Sequence, residues 1–128
     1  METATALIGV MVWLQVKHFV ADYLLQPTWI LEGKGHLAKP GGYVHAGIHA
    51  CGSLPVYVLV GLSATTITAL ALIEFVVHYA IDHFKAVQSL VRHPPVNTHA
   101  FWALHGADQL LHQLTYSGMT LAIAYAGR

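Results

Sequence analysis

The sequence has too little charge to cover the surface of a soluble domain. Charged residues make up 9% of the 128 residues, whereas hydrophobic residues make up 55%. Soluble globular domains carry about 25% charged residues, so this deficit predicts an integral membrane protein. The formal net charge is zero with neutral histidine, which gives no electrostatic support for binding a nucleic acid.

The sequence has a single cysteine and lacks two motifs, the Glu-x-x-His pair and the basic region of a signal peptide. Cys51 is the single cysteine, which excludes an internal disulfide and a zinc site of the Cys-x-x-Cys type. The chain has no Glu-x-x-His motif, the pair that marks di-iron helix bundles. The basic region of a signal peptide is missing after Met1, so we expect the first apolar segment to be retained.

Four apolar segments alternate with stretches rich in glycine, proline and polar residues. We predict helices over residues of about 4–26, 43–62, 66–91 and 99–126. Each segment is long enough to cross ~30 Å of hydrocarbon, and short connections favour an up-down antiparallel bundle. The sequence therefore predicts an all-α polytopic membrane protein, with four transmembrane helices in a single domain over residues 1–128.

Each apolar segment carries two polar side chains four residues apart. Residues at this spacing share one face of a helix, and histidine or aspartate inside a membrane is costly without a partner. In an antiparallel bundle, all four pairs fall on the same side of the membrane. One shared site is predicted from His18, Asp22, His45, His49, His78, Asp82, Asp108 and His112.

Imidazole and carboxylate groups are typical ligands of divalent metals. We expect zinc at this site, with iron or manganese as alternatives. Eight ligands suffice for two metals, or for one metal whose ligands are held by a supporting shell. Asp82, Lys85 and Asp108 are expected to carry the chemistry, with Lys85 on a substrate anion. Further supporting residues are expected at Gln26, Glu74, His105 and Gln109, whereas Tyr116 is predicted to anchor at the interface or to pack.

The basic residues predict which side of the membrane the site faces. They concentrate in or beside the loops over residues 27–42 and 92–98, at Lys17, Lys34, Lys39, Lys85 and Arg92. The opposite side has only Arg128 and the N-terminal amine. The excess of basic residues in cytoplasmic loops predicts that both loops are cytoplasmic and that both termini lie outside.

The four motifs together resemble a known family. They are H-x-x-x-D-x-x-x-Q from His18, H-x-x-x-H from His45, H-x-x-x-D-x-x-K from His78, and D-Q-x-x-H from Asp108. This combination resembles small bacterial and phage membrane proteins grouped as domain of unknown function 3307, over nearly the whole chain. The resemblance implies a four-helix inner-membrane protein and brings no activity with it.

Three functions are compatible with these patterns. The leading hypothesis is a metal-dependent hydrolase of a lipid or phosphoester, with membrane lipid as its partner. The second is a non-catalytic membrane subunit or assembly factor, in a homo-oligomer or a larger complex, with a structural His/Asp layer. The third is a proton or ion pathway, or a bundle that binds haem between opposed histidines.

Overall fold

The computed structural model describes residues 2–126, with side chains from residue 4 onward. Helix α1 (Glu2–Phe19) continues into a π-helical turn (Val20–Leu24) and is followed by α2 (Thr28–Gly33), α3 (Gly41–Leu59), α4 (Ala64–Arg92) and α5 (His99–Ala126). The described residues form only helices and their connections, which confirms the all-α prediction. The N-terminal amine and Arg128, both expected outside the membrane, lie beyond the described residues.

A short helix occupies part of the segment that was predicted as a polar loop. Helix α2 begins after Pro27 and packs on α3, where its Ile30 is buried. A Cβ on Gly33 would lie 2.7 Å from the Cα of Gly41, so glycine lets these two backbones touch. The loop prediction was wrong for these residues because a six-residue helix is too short to show a helical period.

Local signals fix the ends of the two longest helices. Ser63 caps α4, since its hydroxyl accepts a hydrogen bond from the Thr66 N–H at 3.2 Å. The helix ends at Arg92, and the next residue, His93, adopts the left-handed conformation (φ 44°) before two prolines. The Thr98 hydroxyl then accepts the Phe101 N–H at 3.3 Å at the start of α5.

The four long helices form a ring. Helices α1 and α4 each contact both α3 and α5. An apolar cluster joins the early parts of α1 and α4 to the late parts of α3 and α5, through Val10, Leu14, Val56, Tyr57, Leu70, Tyr116, Met119 and Ile123. The polar pairs lie in the other half of each helix. Neighbouring helices in the ring are therefore antiparallel.

Two helical stretches, Ala4–Leu24 and Ala64–Arg92, are long and apolar enough to cross a membrane. Only 28% and 17% of their most apolar windows are buried inside the protein, unlike the core helix of a soluble domain. Large apolar side chains such as Ile8, Val12 and Val76 are exposed on their outer faces. These features suggest association with a membrane.

Candidate metal centre

A π-helical turn places Asp22 between two helices. His18 lies at the end of α1 and Asp22 in the turn that follows, with His18 Nε2 3.2 Å from Asp22 Oδ2. The other oxygen of Asp22 faces α3, 3.0 Å from His45 Nε2 and 3.1 Å from His49 Nε2. Such widened turns are frequent at functional sites. Here the turn directs one carboxylate to three imidazoles.

The second carboxylate, Asp82 on α4, links three helices. Its Oδ1 lies 3.2 Å from His112 Nε2, and its Oδ2 lies 3.3 Å from His45 Nε2 and 3.4 Å from His78 Nε2. Asp108 approaches from α5, with Oδ1 3.6 Å from His112 Nε2. The Nε2 atom of His45 therefore faces both Asp22 and Asp82.

The five imidazole rings form one continuous buried cluster. The ring centroids of His49 and His78 are 3.7 Å apart, and those of His78 and His112 are 4.2 Å apart. His45 adjoins His49 at 4.6 Å, and His18 adjoins His112 at 5.0 Å. With the three aspartates, these rings bring together all eight residues that the sequence predicted as ligands.

The ligand atoms form three overlapping groups that could hold a metal ion. Within each group the atoms lie within 4.8 Å of one another, and the groups are Asp22/His45/His49/His78, His18/His78/His112 and Asp82/Asp108/His112. Ligand atoms at ~2.0–2.1 Å from a tetrahedral zinc lie about 3.3 Å apart, close to the nitrogen–oxygen distances seen here. The same distances also suit N–H···O hydrogen bonds.

Three lysines point at the carboxylates of this region. Lys34 Nζ lies 2.8 Å from Asp82 Oδ2, and Lys85 Nζ lies 2.8 Å from Asp108 Oδ2. Lys17 pairs with Glu74, and its Nζ also donates to the His49 carbonyl at 3.0 Å. Three ammonium groups thus face four carboxylates, Asp22, Asp82, Asp108 and Glu74. With neutral imidazoles, one negative charge remains, which one imidazole proton would neutralise and a divalent cation would more than offset.

These lysines weaken the sequence argument for sidedness. Lys17, Lys34 and Lys85 were counted as charges of the cytoplasmic loops and helix ends, but each is paired with a carboxylate inside the bundle. Of the five basic residues in that count, Lys39 and Arg92 are exposed. The count overstated the charge at this end because sequence spacing does not reveal where a long side chain points.

The predicted supporting residues lie in different places. Gln109 joins the cluster, with Oε1 3.2 Å from His18 Nε2 and Nε2 donating to Asp108 Oδ2 at 3.1 Å. Gln26 donates to the Asp22 backbone carbonyl at 2.7 Å, and His105 Nδ1 lies 3.4 Å from Lys85 Nζ. Glu74 binds Lys17 rather than an imidazole.

Tyr116 is a member of the cluster that sequence reasoning missed. Its hydroxyl lies 3.0 Å from His18 Nδ1 and 3.4 Å from His49 Nδ1, and its side chain is buried. Of the two roles predicted for this tyrosine, packing is confirmed, since it belongs to the buried apolar cluster, and the interface anchor is wrong. Its position four residues after His112 extends the same helix face and was the available signal. Lys17 and Lys34 were missed as well, since one was counted as a helix-end charge and the other lies in the predicted loop.

A cavity of about 370 Å³ gives access to this cluster. Asp22 and Asp82 line it on the side of the imidazoles, and Lys34 and Lys85 line it beside them. Water and small solutes can therefore reach two of the three aspartates, although the histidine rings are buried.

The family described as Protein of unknown function (DUF3307) matches residues 10–125. This match covers most of the chain and includes all eight clustered residues. The chain belongs to this family. No curated protein and no solved structure matches it. Membership in this family confirms the resemblance drawn from the motifs and assigns no activity, so a function has to come from the geometry.

Proposed function

We propose that this member of the family is a four-helix membrane protein that binds a divalent metal between its helices. One observation carries the proposal. Eight histidine and aspartate side chains from four helices converge at distances that suit metal ligands, and with neutral imidazoles the region has one uncompensated negative charge. Buried polar groups in a membrane bundle are costly and commonly functional, and a metal would satisfy both their geometry and their charge.

The apolar surface of the bundle supports the proposal that each of the four long helices crosses the membrane. Helices α1 and α4 contain the two stretches that are apolar enough by themselves. Helices α3 and α5 complete the same ring and also expose large apolar side chains, such as Leu59 and Leu121. Lys39 and Arg92 at the polar end favour a cytoplasmic position for that end, in a bacterial inner membrane.

Two of the three ligand groups share no residue, and they differ in the number of ligands they offer. Asp22, His45, His49 and His78 offer four ligands, as structural zinc sites do, whereas Asp82, Asp108 and His112 offer three. Three protein ligands leave a position for water, as in catalytic zinc sites. Zinc is the metal we expect, with iron or manganese as alternatives that have similar ligands.

The three-ligand group supports hydrolysis as the reaction. A metal held there would lower the pKa of a bound water and supply the nucleophile. Asp82 and Asp108 would hold and orient that centre, and Lys85 beside Asp108 would contact the anionic group of the substrate. The substrate class that fits a membrane location is a lipid or phosphoester.

A second candidate function follows from the same distances. The contacts of Asp22 and Asp82 with imidazole nitrogens are also hydrogen bonds between helices. Such contacts lock helices in membranes. In this case the protein would be a non-catalytic subunit or assembly factor, acting in a homo-oligomer or a larger membrane complex.

Two other hypotheses receive less support from the structure. A proton or ion pathway needs polar groups beyond Glu74, but the far end of the ring is filled by Val10, Leu14, Met119 and Ile123. Haem between opposed histidines needs space between the rings, whereas His49 and His78 stack at 3.7 Å.

Elemental analysis of the protein purified in detergent, without chelators, tests the metal centre. We expect a stoichiometric metal in the wild type, and the His45→Ala/His49→Ala double variant should lose the metal of the four-ligand group. The matched control is His93→Ala/His99→Ala, since both of these histidines are exposed. Wild-type protein without metal would contradict the proposal and favour the hydrogen-bonded lock.

Catalysis is tested separately with Asp82→Asn. We expect this variant to lose hydrolysis of a short-chain lipid phosphoester while the bundle stays folded by circular dichroism. The amide keeps the shape of the side chain but removes the charge that would bind the metal. Full turnover in Asp82→Asn would rule out the proposed mechanism.

A further inference from the structure

We infer that the cavity beside the metal centre is a phosphate-binding site, with Lys34 and Lys85 as its cationic ligands. This inference rests on the metal centre proposed above. The cavity has a volume of about 370 Å³, within the range of ~300–1,000 Å³ found for small-molecule sites. It is bordered by a π-helical turn, by α2, and by the polar ends of α4 and α5.

The two lysines line the cavity next to the proposed metal ligands, where a bound anion could contact both the lysines and the metal. Both line the cavity, and the Nζ of each lies 2.8 Å from a carboxylate oxygen of the cluster, Asp82 for Lys34 and Asp108 for Lys85. An ammonium group has three hydrogen-bond donors, so each lysine can contact a carboxylate and an anion together. Lys34 comes from the end of α2 and Lys85 from α4, which places cations on two walls.

The charge of the region makes anion binding depend on the metal. Without metal and with neutral imidazoles, four carboxylates exceed three ammonium groups, and the negative balance repels an anion. One imidazole proton would bring this balance only to zero, which gives no net attraction for an anion. One divalent cation changes the balance to a net positive charge. The cation would also bind the carboxylates that otherwise pair with the lysines. The ammonium groups of the lysines would then be available to bind an anion. A phosphate that meets a metal and two lysines makes charge-assisted hydrogen bonds, which are the strong kind.

The rest of the cavity indicates what is attached to the phosphate. Tyr23, Leu31, Ala86 and Leu90 give it an apolar wall. An inorganic phosphate would contact only the polar side of the cavity, whereas a lipid phosphate would contact the polar side with its phosphate and the apolar wall with its acyl chain. Glu32 also lines the cavity, but its side chain is exposed, so water and salt screen its repulsion. A phosphate group joined to an acyl chain is the ligand class that uses the whole cavity.

Calorimetric titration of zinc-loaded protein, freed of excess zinc, tests this site. One arm uses inorganic phosphate and the other uses dihexanoyl phosphatidic acid below its micelle concentration. We expect both to bind the zinc-loaded wild type, the lipid phosphate more tightly, and neither to bind the metal-free protein. If the two bind equally, the phosphate site is supported and its ligand is free phosphate.

Substitutions of the lysines identify the ligands. Lys34→Gln and Lys85→Gln should each weaken phosphate binding by roughly 10-fold or more, the loss expected for one charged hydrogen bond. Lys34→Arg should retain binding because it keeps the charge. Lys39→Gln is the matched control, since Lys39 is an exposed lysine that does not line the cavity.

The metal content of each variant separates the possible failures. Both glutamine variants should bind zinc at least as tightly as the wild type, since an ammonium group that competes for the carboxylate is gone. Zinc binding without phosphate binding in the wild type would overturn this inference and leave the metal centre intact. A wild type that binds no zinc would instead contradict the proposed function, and the phosphate site with it.

Discussion

The two ends of the helix ring are held together by different forces. At one end, apolar side chains such as Leu14, Leu70 and Met119 fill the space between the helices. At the other end, histidines and aspartates do so. In the proposed membrane location the surrounding lipid is as apolar as leucine, so the apolar end would gain stability from close packing more than from exclusion of water. The polar end has directional contacts, which specify how the helices are aligned. Packing and alignment are therefore supplied by different halves of the same helices.

A buried ion pair marks the boundary between the two ends. Glu74 is fully buried and binds Lys17, which in turn contacts His49. Ser53 and Tyr57 lie buried in the next turns of α3. The pair therefore connects the last layer of the polar end to the first layer of the apolar end.

Removing one member of this pair should give the largest loss of stability. Glu74→Ala leaves the Lys17 ammonium buried without its partner, at an expected cost of about 3–5 kcal/mol in the free energy of unfolding. Thermal and denaturant unfolding in detergent measure this cost. Glu32→Ala, at an exposed glutamate, is the control.

The double variant Lys17→Met/Glu74→Leu sharpens this first prediction. Both charges are then gone, so most of the lost stability should return. A double variant as unstable as Glu74→Ala would show that the ion pair is not the reason for the loss.

A cavity created in the apolar end should cost less stability and should not affect the proposed metal centre. Leu14→Ala removes packing at a fully buried position, with an expected loss of about 2 kcal/mol, the low end for such substitutions. Chelator should not change this loss, because the substitution removes apolar packing and leaves the contacts of the histidines and aspartates in place. Ile8→Ala, on the exposed face of the same helix, is the control. A Leu14→Ala loss that vanishes with chelator would show that the two ends are coupled.

The smallest expected effect is at Tyr116, whose hydroxyl connects the polar end to the apolar cluster. Tyr116→Phe removes contacts with the Nδ1 atoms of His18 and His49 but keeps the ring in place. We expect a stability loss of about 1 kcal/mol. Zinc affinity should fall by roughly 10-fold, as when other partners of ligating histidines are removed.

A competition assay with a zinc-binding dye measures that affinity. Tyr43→Phe is the matched control, since its hydroxyl donates to the Leu37 carbonyl and is exposed. Unchanged zinc affinity in Tyr116→Phe would show that this hydroxyl does not orient the histidines.

Much of the site was predictable because its ligands repeat at helical spacing. The pairs at i and i+4 place both side chains on one face, so the eight clustered residues follow from the sequence once the helices are antiparallel. Tyr116 follows the same rule from His112, although its hydroxyl was not interpreted as part of the site. Lys34 could not be predicted, because it reaches Asp82 only when α2 folds onto α3.

The amino-acid sequence alone specifies a helical, apolar chain with histidine and aspartate at helical spacing. These properties reside in local periodicity and composition. The folded structure was needed to show which carboxylate each lysine contacts, that Asp22 lies on a π-helical turn, and that a cavity opens beside the histidine and aspartate cluster. Those features depend on side chains from distant segments and on small changes in helix geometry, neither of which a local pattern encodes.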